Sequence, residues 1–537
     1  MRATTDVIVV GSGPTGICCC WPLLHAGLRV LLIDPGGPIA AVPADRPGLA
    51  DVRAGHPGKS TYLLGGDLRA LRISKHPSPK LRIAAPPHFV SDYIDALRVS
   101  TNGFVLAGSL APGGLSNVWG SVASVYDDAD LAGTPLRFAD LSASYSAVSR
   151  RIGISGTKDD DMAPFHGDIP LQPPIPNGAL AAELLARYRR RGAGRAAMKL
   201  GFSRNAVLSL PLDGRKACER DGFCMWGCRR GAIYNSAHEI DSLSAFATFT
   251  YRPGCLVERI EPTGDGYRLE GRNPATGKGV AHVATRVVLA AGTVASTRLV
   301  LPLLARLGER RRLLNNPAYT FAVLFPSGLG RAAVAGQFAM AQLSYILPIA
   351  AGDSYTAGVL YPADCLSPVD IADEMPTTLR GGMLLARSLA PAMLIGLGYF
   401  DGALSDNRIV VDAGVDGLRV HIDGGWARSF SDALAETRSK LRRVFLRLGG
   451  ILLPGSLNAL PPGGDSHYAG TLAMGDLLTR DCEVAARPGV YVVDGAAFNR
   501  LPAKHCTLTL MANADRVGGR IAVSAFAAGR ASPVHRP

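Results

Sequence analysis

The chain has 537 residues, 47% hydrophobic and 19% charged, the composition of a folded protein long enough for two domains or for one large domain with a second woven into it. Its net charge of +13 does not mark a nucleic-acid partner. The basic residues are scattered apart from short clusters such as Arg189–Arg191 and Arg310–Arg312, and no basic stripe interleaves with aromatics. Ten cysteines, three of them consecutive, do not read as a disulfide framework, and with no secretory signal the expected compartment is a reducing cytoplasm.

The first element organises the rest. Val7–Val10 reads as a buried parallel strand, followed by Gly11-Ser12-Gly13-Pro14-Thr15-Gly16, an apolar segment of helical length, and a second strand, Arg29–Ile33, closed by Asp34. Gly11 permits the tight turn, Gly13 lets backbone approach a pyrophosphate, and Gly16 lets the helix pack on the sheet. The helix N-terminus offers N–H groups to that phosphate, and Asp34 is placed to take the two ribose hydroxyls of an adenosine. Residues 7–24 carry no charge, but three glycines and two prolines suit a lipid-facing helix poorly, and removal as a signal peptide would discard the nucleotide fingerprint. No other stretch has the length and apolarity of a membrane span. Pro22 is expected to remove one hydrogen bond and bend the helix.

From Asp34 to about residue 100 the chain is rich in Pro, Gly and Arg and reads as long loops. Phe104–Gly120 reads as a short strand and a second Gly-rich turn, Leu136–Gly153 as a helix, 158–176 as a linker, and Asn177–Arg195 as a basic helix. Cys255–Glu261 and Tyr267–Glu270 alternate as a hairpin, and Arg286–Ala291 is a strand leading through Gly292 into a helix. Six strands are expected over 319–422: Tyr319–Phe325, Gly336–Leu347, Tyr355–Tyr361, Leu394–Phe400, Arg408–Asp412 and Leu418–Ile422. Together they suggest one antiparallel sheet acting as a wall. Phe430–Leu448 is an amphipathic helix; Val490–Asp494 and Cys506–Ala525 are a last strand and a long helix. Near the end stand His467 and His505, in Gly- and Thr-punctuated segments. Imidazole is the side chain suited to take a proton near neutral pH, although on residue type alone two such histidines are more often ordinary core or surface histidines than a working pair.

Five segments in this order, GSGPTG with Asp34, GGLSNVWG (Gly113–Gly120), LAAGTVAS (Leu289–Ser296), HYAGTLAMG (His467–Gly475) and GVYVVDGAAF with KHCTLTLMA (Gly489–Ala512), resemble the glucose–methanol–choline (GMC) flavoprotein oxidoreductases. The resemblance implies an α/β fold: a Rossmann-like FAD-binding domain with an interleaved substrate domain built on an antiparallel sheet. It divides the chain into FAD-binding segments 1–135, 226–312 and 455–537, a cap excursion 136–225 and a substrate domain 313–454. It implies FAD contacts at Gly11–Gly16, Asp34, Gly113, Gly114, Asn117, Val118, Val257 (backbone to adenine), Gly292, Asp494, Gly495, Cys506 and Thr507. With no His or Cys in the Gly113–Gly120 segment, the flavin is expected to be non-covalent. It also implies His467 as general base and His505 as its partner. Cys506 stands where the family has Pro, and TRLVLPLL after Ser296 lacks the family's usual Ser-Gly ending.

Cys218, Cys224 and Cys228 have ligand-like spacing and resemble the iron–sulfur segment of flavin-dependent sugar dehydrogenases. That segment's prolines are missing, however, and Arg229-Arg230 follow directly. The favoured reading is three reduced cysteines packing a loop, with no metal. The implied function is oxidation of a CH–OH group to aldehyde or ketone. The substrate leans toward a sugar, polyol or glycosylated secondary metabolite, through the sugar-dehydrogenase likeness and polar strand residues such as Gln337 and Gln342. The acceptor would be oxygen, a quinone or a redox protein. Two alternatives stay open: a flavoprotein of other chemistry, such as amine or ring oxidation, and a non-catalytic FAD-binding scaffold.

Overall fold

The computed structural model describes residues 5–37, 42–65, 80, 91–190, 197–333, 336–350, 354–373, 375 and 377–527. The end of the expected basic helix, 191–195, and most of 66–90 lie outside the described residues.

A five-stranded parallel sheet carries the first motif at its centre. Its order is Val490–Val492, Arg286–Leu289, Val7–Val10, Val30–Asp34, Phe249–Pro253, so strands from the start, middle and end of the chain lie side by side. Val7–Val10, buried on both faces, continues through the glycine turn into the helix Pro14–His25. The turn thus sits at the carboxyl edge, where parallel sheets open a crevice for ligands. Pro22 occupies the last turn of that helix. The final helix, Thr507–Ala527, packs against it, and at Gly518 the two approach closely. A Cβ there would stand 2.6 Å from both the Cys19 carbonyl oxygen and the Pro22 ring. The expected hairpin is present as Leu256–Thr263 and Gly266–Arg272, extended by Gly279–Ala284.

The second sheet is antiparallel, in the order Ile451–Leu452, Ala318–Leu324, Met393–Tyr399, Ser354–Pro362, Leu343–Ile349, Lys199–Phe202. It differs from the expectation in membership. Asn407–Gly414 and Gly417–Asp423 pair with each other and with Arg311–Leu313 and Val99–Asn102 in a separate four-stranded sheet. Alternation marks a strand but not the edge it joins. Gln337 and Gln342 also fall outside the strand assigned to them, which begins only at Leu343. Both are buried and satisfied within the protein: Gln337 Nε2 donates to Asp364 (2.5 Å), and Gln342 Nε2 donates to the Phe338 carbonyl (2.6 Å).

Two local expectations also change. The run after Asp34 holds short helices, Leu49–Gly55, Lys59–Leu64 and Ser91–Leu97. Phe104–Ala107 is not a ladder strand; the Val105 N–H instead reaches the Pro462 carbonyl (2.9 Å). No described helix is long and apolar enough to cross a membrane. Replacing Gly518 by Val should separate the first and last helices and cost about 2 kcal/mol, from overpacking; chemical unfolding against the parent protein checks it.

Candidate active site

The glycine turn is built by contact. A Cβ on Gly16 would lie 1.9 Å from the Gly11 carbonyl oxygen, and one on Gly11 (φ 102°) would lie 2.5 Å from that of Ala290. A Cβ on Gly13 or Gly292 would meet nothing within 4 Å, so the backbone at both turns borders open space. Glycines pressed into the sheet on one side and facing free room on the other make a cradle that fits a pyrophosphate. Gly114 brings the second Gly-rich turn against the first, its Cβ position 3.3 Å from the Gly13 Cα. Asn117 folds that turn by donating to the Pro112 (2.9 Å) and Gly114 (2.7 Å) carbonyls, and its oxygen accepts from Asn235. Val118 closes the 3-10 turn Gly114–Asn117.

Asp34 is more engaged than its position at a strand end suggests. It accepts from the Ser12 hydroxyl and the Tyr251 hydroxyl (3.0 Å), and the Gly113 N–H donates to Ser12 Oγ (3.1 Å). Burial raises its pKa against these donors. The carboxylate therefore braces the turn. The Cys255 N–H donates to the Asp34 carbonyl (2.8 Å), which sets buried Val257 just beyond the same strand end.

Asp494 ties the second strand-to-helix turn to the last strand. It accepts from the Gly292 N–H (3.0 Å), the Ser296 hydroxyl (2.5 Å) and the Ala496 N–H (3.0 Å), and burial lifts its pKa to about 6. Gly495 then packs on the histidine segment, its Cβ position 2.2 Å from the Tyr468 carbonyl oxygen. Cys506, in the family's proline position, leaves the helix start regular: its carbonyl accepts from Leu510 (3.0 Å), and the helix begins at Thr507. The buried thiol is pushed up to about 12 and stays protonated.

The two histidines meet edge to face, with ring centroids 6.0 Å apart at 82°. Tyr399 of the wall sheet packs on both, at 5.4 Å from His467 and 5.1 Å from His505. His467 Nδ1 lies 3.1 Å from Asn316 Oδ1. Asn316 Nδ2 faces three carbonyls, those of Phe400 (2.8 Å), Leu501 (3.1 Å) and Pro502 (2.9 Å), so the amide orientation is settled and its oxygen points at the imidazole. Nδ1 therefore carries the proton and Nε2 is left with a bare lone pair. Asp465 Oδ2 accepts from the Asn316 N–H (2.9 Å) and lies 3.6 Å from Nδ1. Between them Ser466 holds the left-handed region at φ 62°, rare for a non-glycine residue and a mark of imposed geometry. Burial lowers His467 to about 4, and burial with the neighbouring His467 lowers His505 to about 3; burial raises Asp465 to about 7. Both imidazoles are neutral across the physiological range. Asn315, Asn316, Tyr399 and Asp465 were not singled out from sequence; the one signal was a polar pair, Asn315-Asn316, opening an apolar strand.

Cys218, Cys224 and Cys228 share one loop, with Cys224 buried on the turn Cys224–Trp226. Burial pushes Cys218 to about 11 and raises Cys224, so those two are thiols rather than ready thiolates. Arg46 holds the loop through the Trp226 (3.2 Å) and Gly227 (3.0 Å) carbonyls, and Arg229 pairs with Glu219 (3.0 Å) and Asp221 (3.3 Å). Arg230 also pairs with Glu219 (3.3 Å), so the two arginines that follow Cys228 brace the loop. Among the described residues no group of three His, Cys, Asp or Glu side chains is arranged to hold a metal.

No protein-family model matches the chain, and no curated protein matches it in sequence. Among solved structures it is similar to pyridoxine 4-oxidase from Mesorbium loti. The TM-score is 0.59 at 14% identity, and the match covers 96% of this chain and 99% of that one. The chain has the fold of that oxidase over essentially its whole length.

Asp494→Ala would strand the Ser296 hydroxyl and the Ala496 N–H inside the protein. It should cost about 2 kcal/mol, the penalty for buried unpaired donors, as read from urea unfolding.

Proposed function

We propose that the chain binds FAD non-covalently and oxidises the CH–OH group of a small-molecule alcohol to an aldehyde or ketone, with His467 as general base and His505 as its partner. The observation that carries this is the pair of neutral imidazoles under Tyr399, one locked with Nε2 free. The GMC resemblance and the oxidase that shares the fold support it. In this reading Gly11–Gly16 and Gly292 hold the pyrophosphate and Asp34 the ribose, with Val257 at the adenine. Gly113–Val118, Asp494, Gly495, Cys506 and Thr507 border the flavin. Bound FAD supplies the hydride acceptor.

The chain's own part is proton placement. His467 Nε2 takes the hydroxyl proton, which it can do because burial keeps it neutral. The Nδ1–H stays on Asn316, so the imidazole gains its charge without turning. Asp465, once ionised, stabilises the imidazolium that results, since its carboxylate lies 3.6 Å from Nδ1. His505 donates toward the substrate oxygen as negative charge develops there. A cytoplasmic setting and the domain division given above belong to the same reading.

His467→Ala should lower turnover about a hundredfold or more while the 450 nm flavin band stays intact; unchanged turnover would mean a different chemistry on the same cofactor. A second outcome follows from Asp465. As pH rises through about 7 its carboxylate forms and His467 becomes the better base, so kcat/KM should climb between pH 6 and 8. Asp465→Asn should flatten that climb, as a pH–rate series would show.

A further inference from the structure

The wall sheet has two unlike faces. Behind it, Gly396 and Gly398 leave room for the rings of Phe321 and Tyr319, which a Cβ would meet at 2.1 and 2.2 Å, and the helix Phe430–Arg447 closes that side through Phe445 (Phe321–Phe445 centroids 5.8 Å). In front lies the face that carries Tyr399 and therefore the two histidines. Strand alternation puts Leu397 and Ile395 on it, and the ladder sets Thr320 beside Leu397 and Tyr361 beside Ile395. Thr320, Tyr361, Ile395 and Leu397 are partly exposed in strands that are otherwise mostly buried, so they border a cleft. Its opposite side is the end of the Gly-rich segment: a Cβ on Gly120 would stand 3.4 Å from the Tyr361 hydroxyl.

The chemistry of this front face is narrow. On the three central strands it consists of alanines, Leu324, Val359, Met393, Ile395, Leu397 and the hydroxyls of Thr320, Tyr355, Tyr361 and Tyr399, with no charged or amide side chain; Tyr355, at the far end, is already spent on Asp130 (3.2 Å). A sugar or polyol brings a hydroxyl on nearly every carbon, and each one taken out of water without a partner costs affinity. The two glutamines that suggested a polyol are committed elsewhere: Gln337 to Asp364, Gln342 to the Phe338 carbonyl and the Gly178 N–H.

We infer that the alcohol oxidised at His467 is an apolar one, with an aromatic or aliphatic body that lies on Ile395 and Leu397 while its single hydroxyl faces the histidines. The inference rests on the alcohol-oxidation reading and narrows it. The face selects by what it cannot satisfy, because an apolar body displaces water from Ile395 and Leu397 at no polar cost.

The test uses the FAD-loaded protein without oxygen. Benzyl alcohol, 1-octanol, glucose and sorbitol are each added and bleaching at 450 nm is followed; separately, benzyl alcohol is titrated for its perturbation of the flavin band. Bleaching per mole should be at least tenfold faster with benzyl alcohol or octanol than with either polyol. Leu397→Asn should raise the KM for the better apolar alcohol at least tenfold with kcat little changed. Faster bleaching by glucose or sorbitol, lost in His467→Ala, would overturn the apolar assignment and leave alcohol oxidation standing, as would an unmoved KM in Leu397→Asn. If no alcohol bleaches the flavin but benzyl alcohol still perturbs its band, with a Kd weakened in Leu397→Asn, the oxidation reading falls and the apolar cleft stands. Absence of both bleaching and band perturbation would overturn the apolar cleft itself.

Discussion

The carboxamide of Asn316 is the joint on which the histidine pair depends. Its N–H groups can only donate and the carbonyls of Phe400, Leu501 and Pro502 can only accept, so a flipped amide would set oxygen against three oxygens. One side chain thereby binds the end of a wall strand, the loop that leads to His505, and His467 itself. Its support continues inward: Asn315 donates to Asp465 (2.9 Å) and accepts from Asn407 (2.7 Å), which opens a strand of the separate four-stranded sheet. Buried polar chains of this kind hold one arrangement because every alternative leaves a donor or acceptor unpaired.

The glycine turns and the histidine pair are joined as tightly. Asp494 accepts from the backbone at Gly292, the next residue packs under Tyr468, and the Thr293 hydroxyl donates to the Tyr468 carbonyl (2.6 Å). The backbone just after His467 is therefore fastened to the Gly292 turn, which borders open space. The distance between the glycine turns and the histidine pair is set by these few short contacts, and in the proposed reaction that placement is what positions the reacting groups.

Much of this was legible from residues in order. A strand, three glycines, a helix, a strand and an acid form one local unit, and local units are written in contiguous sequence. The hairpin, the amphipathic helix at Phe430 and the long closing helix were legible for the same reason. The pairing of His467 with His505 was available only through family likeness, since nothing in the spacing of two residues on separate loops requires them to touch. Asp34 shows a subtler gap: its place at the strand end was readable, but its engagement with Tyr251 depends on a strand from the middle of the chain becoming its neighbour.

By itself, then, the sequence determined the periodic elements and the glycine turn, because backbone propensity and side-chain alternation act over a few residues. Tertiary structure alone decided which sheet the strands after Asn407 would join, that Gln337 and Gln342 would be spent inside the protein, and that Asn316 would set the proton on His467. Each of those outcomes is a choice among distant partners of similar local chemistry, and such choices are made by packing and by the need to pair every buried polar atom.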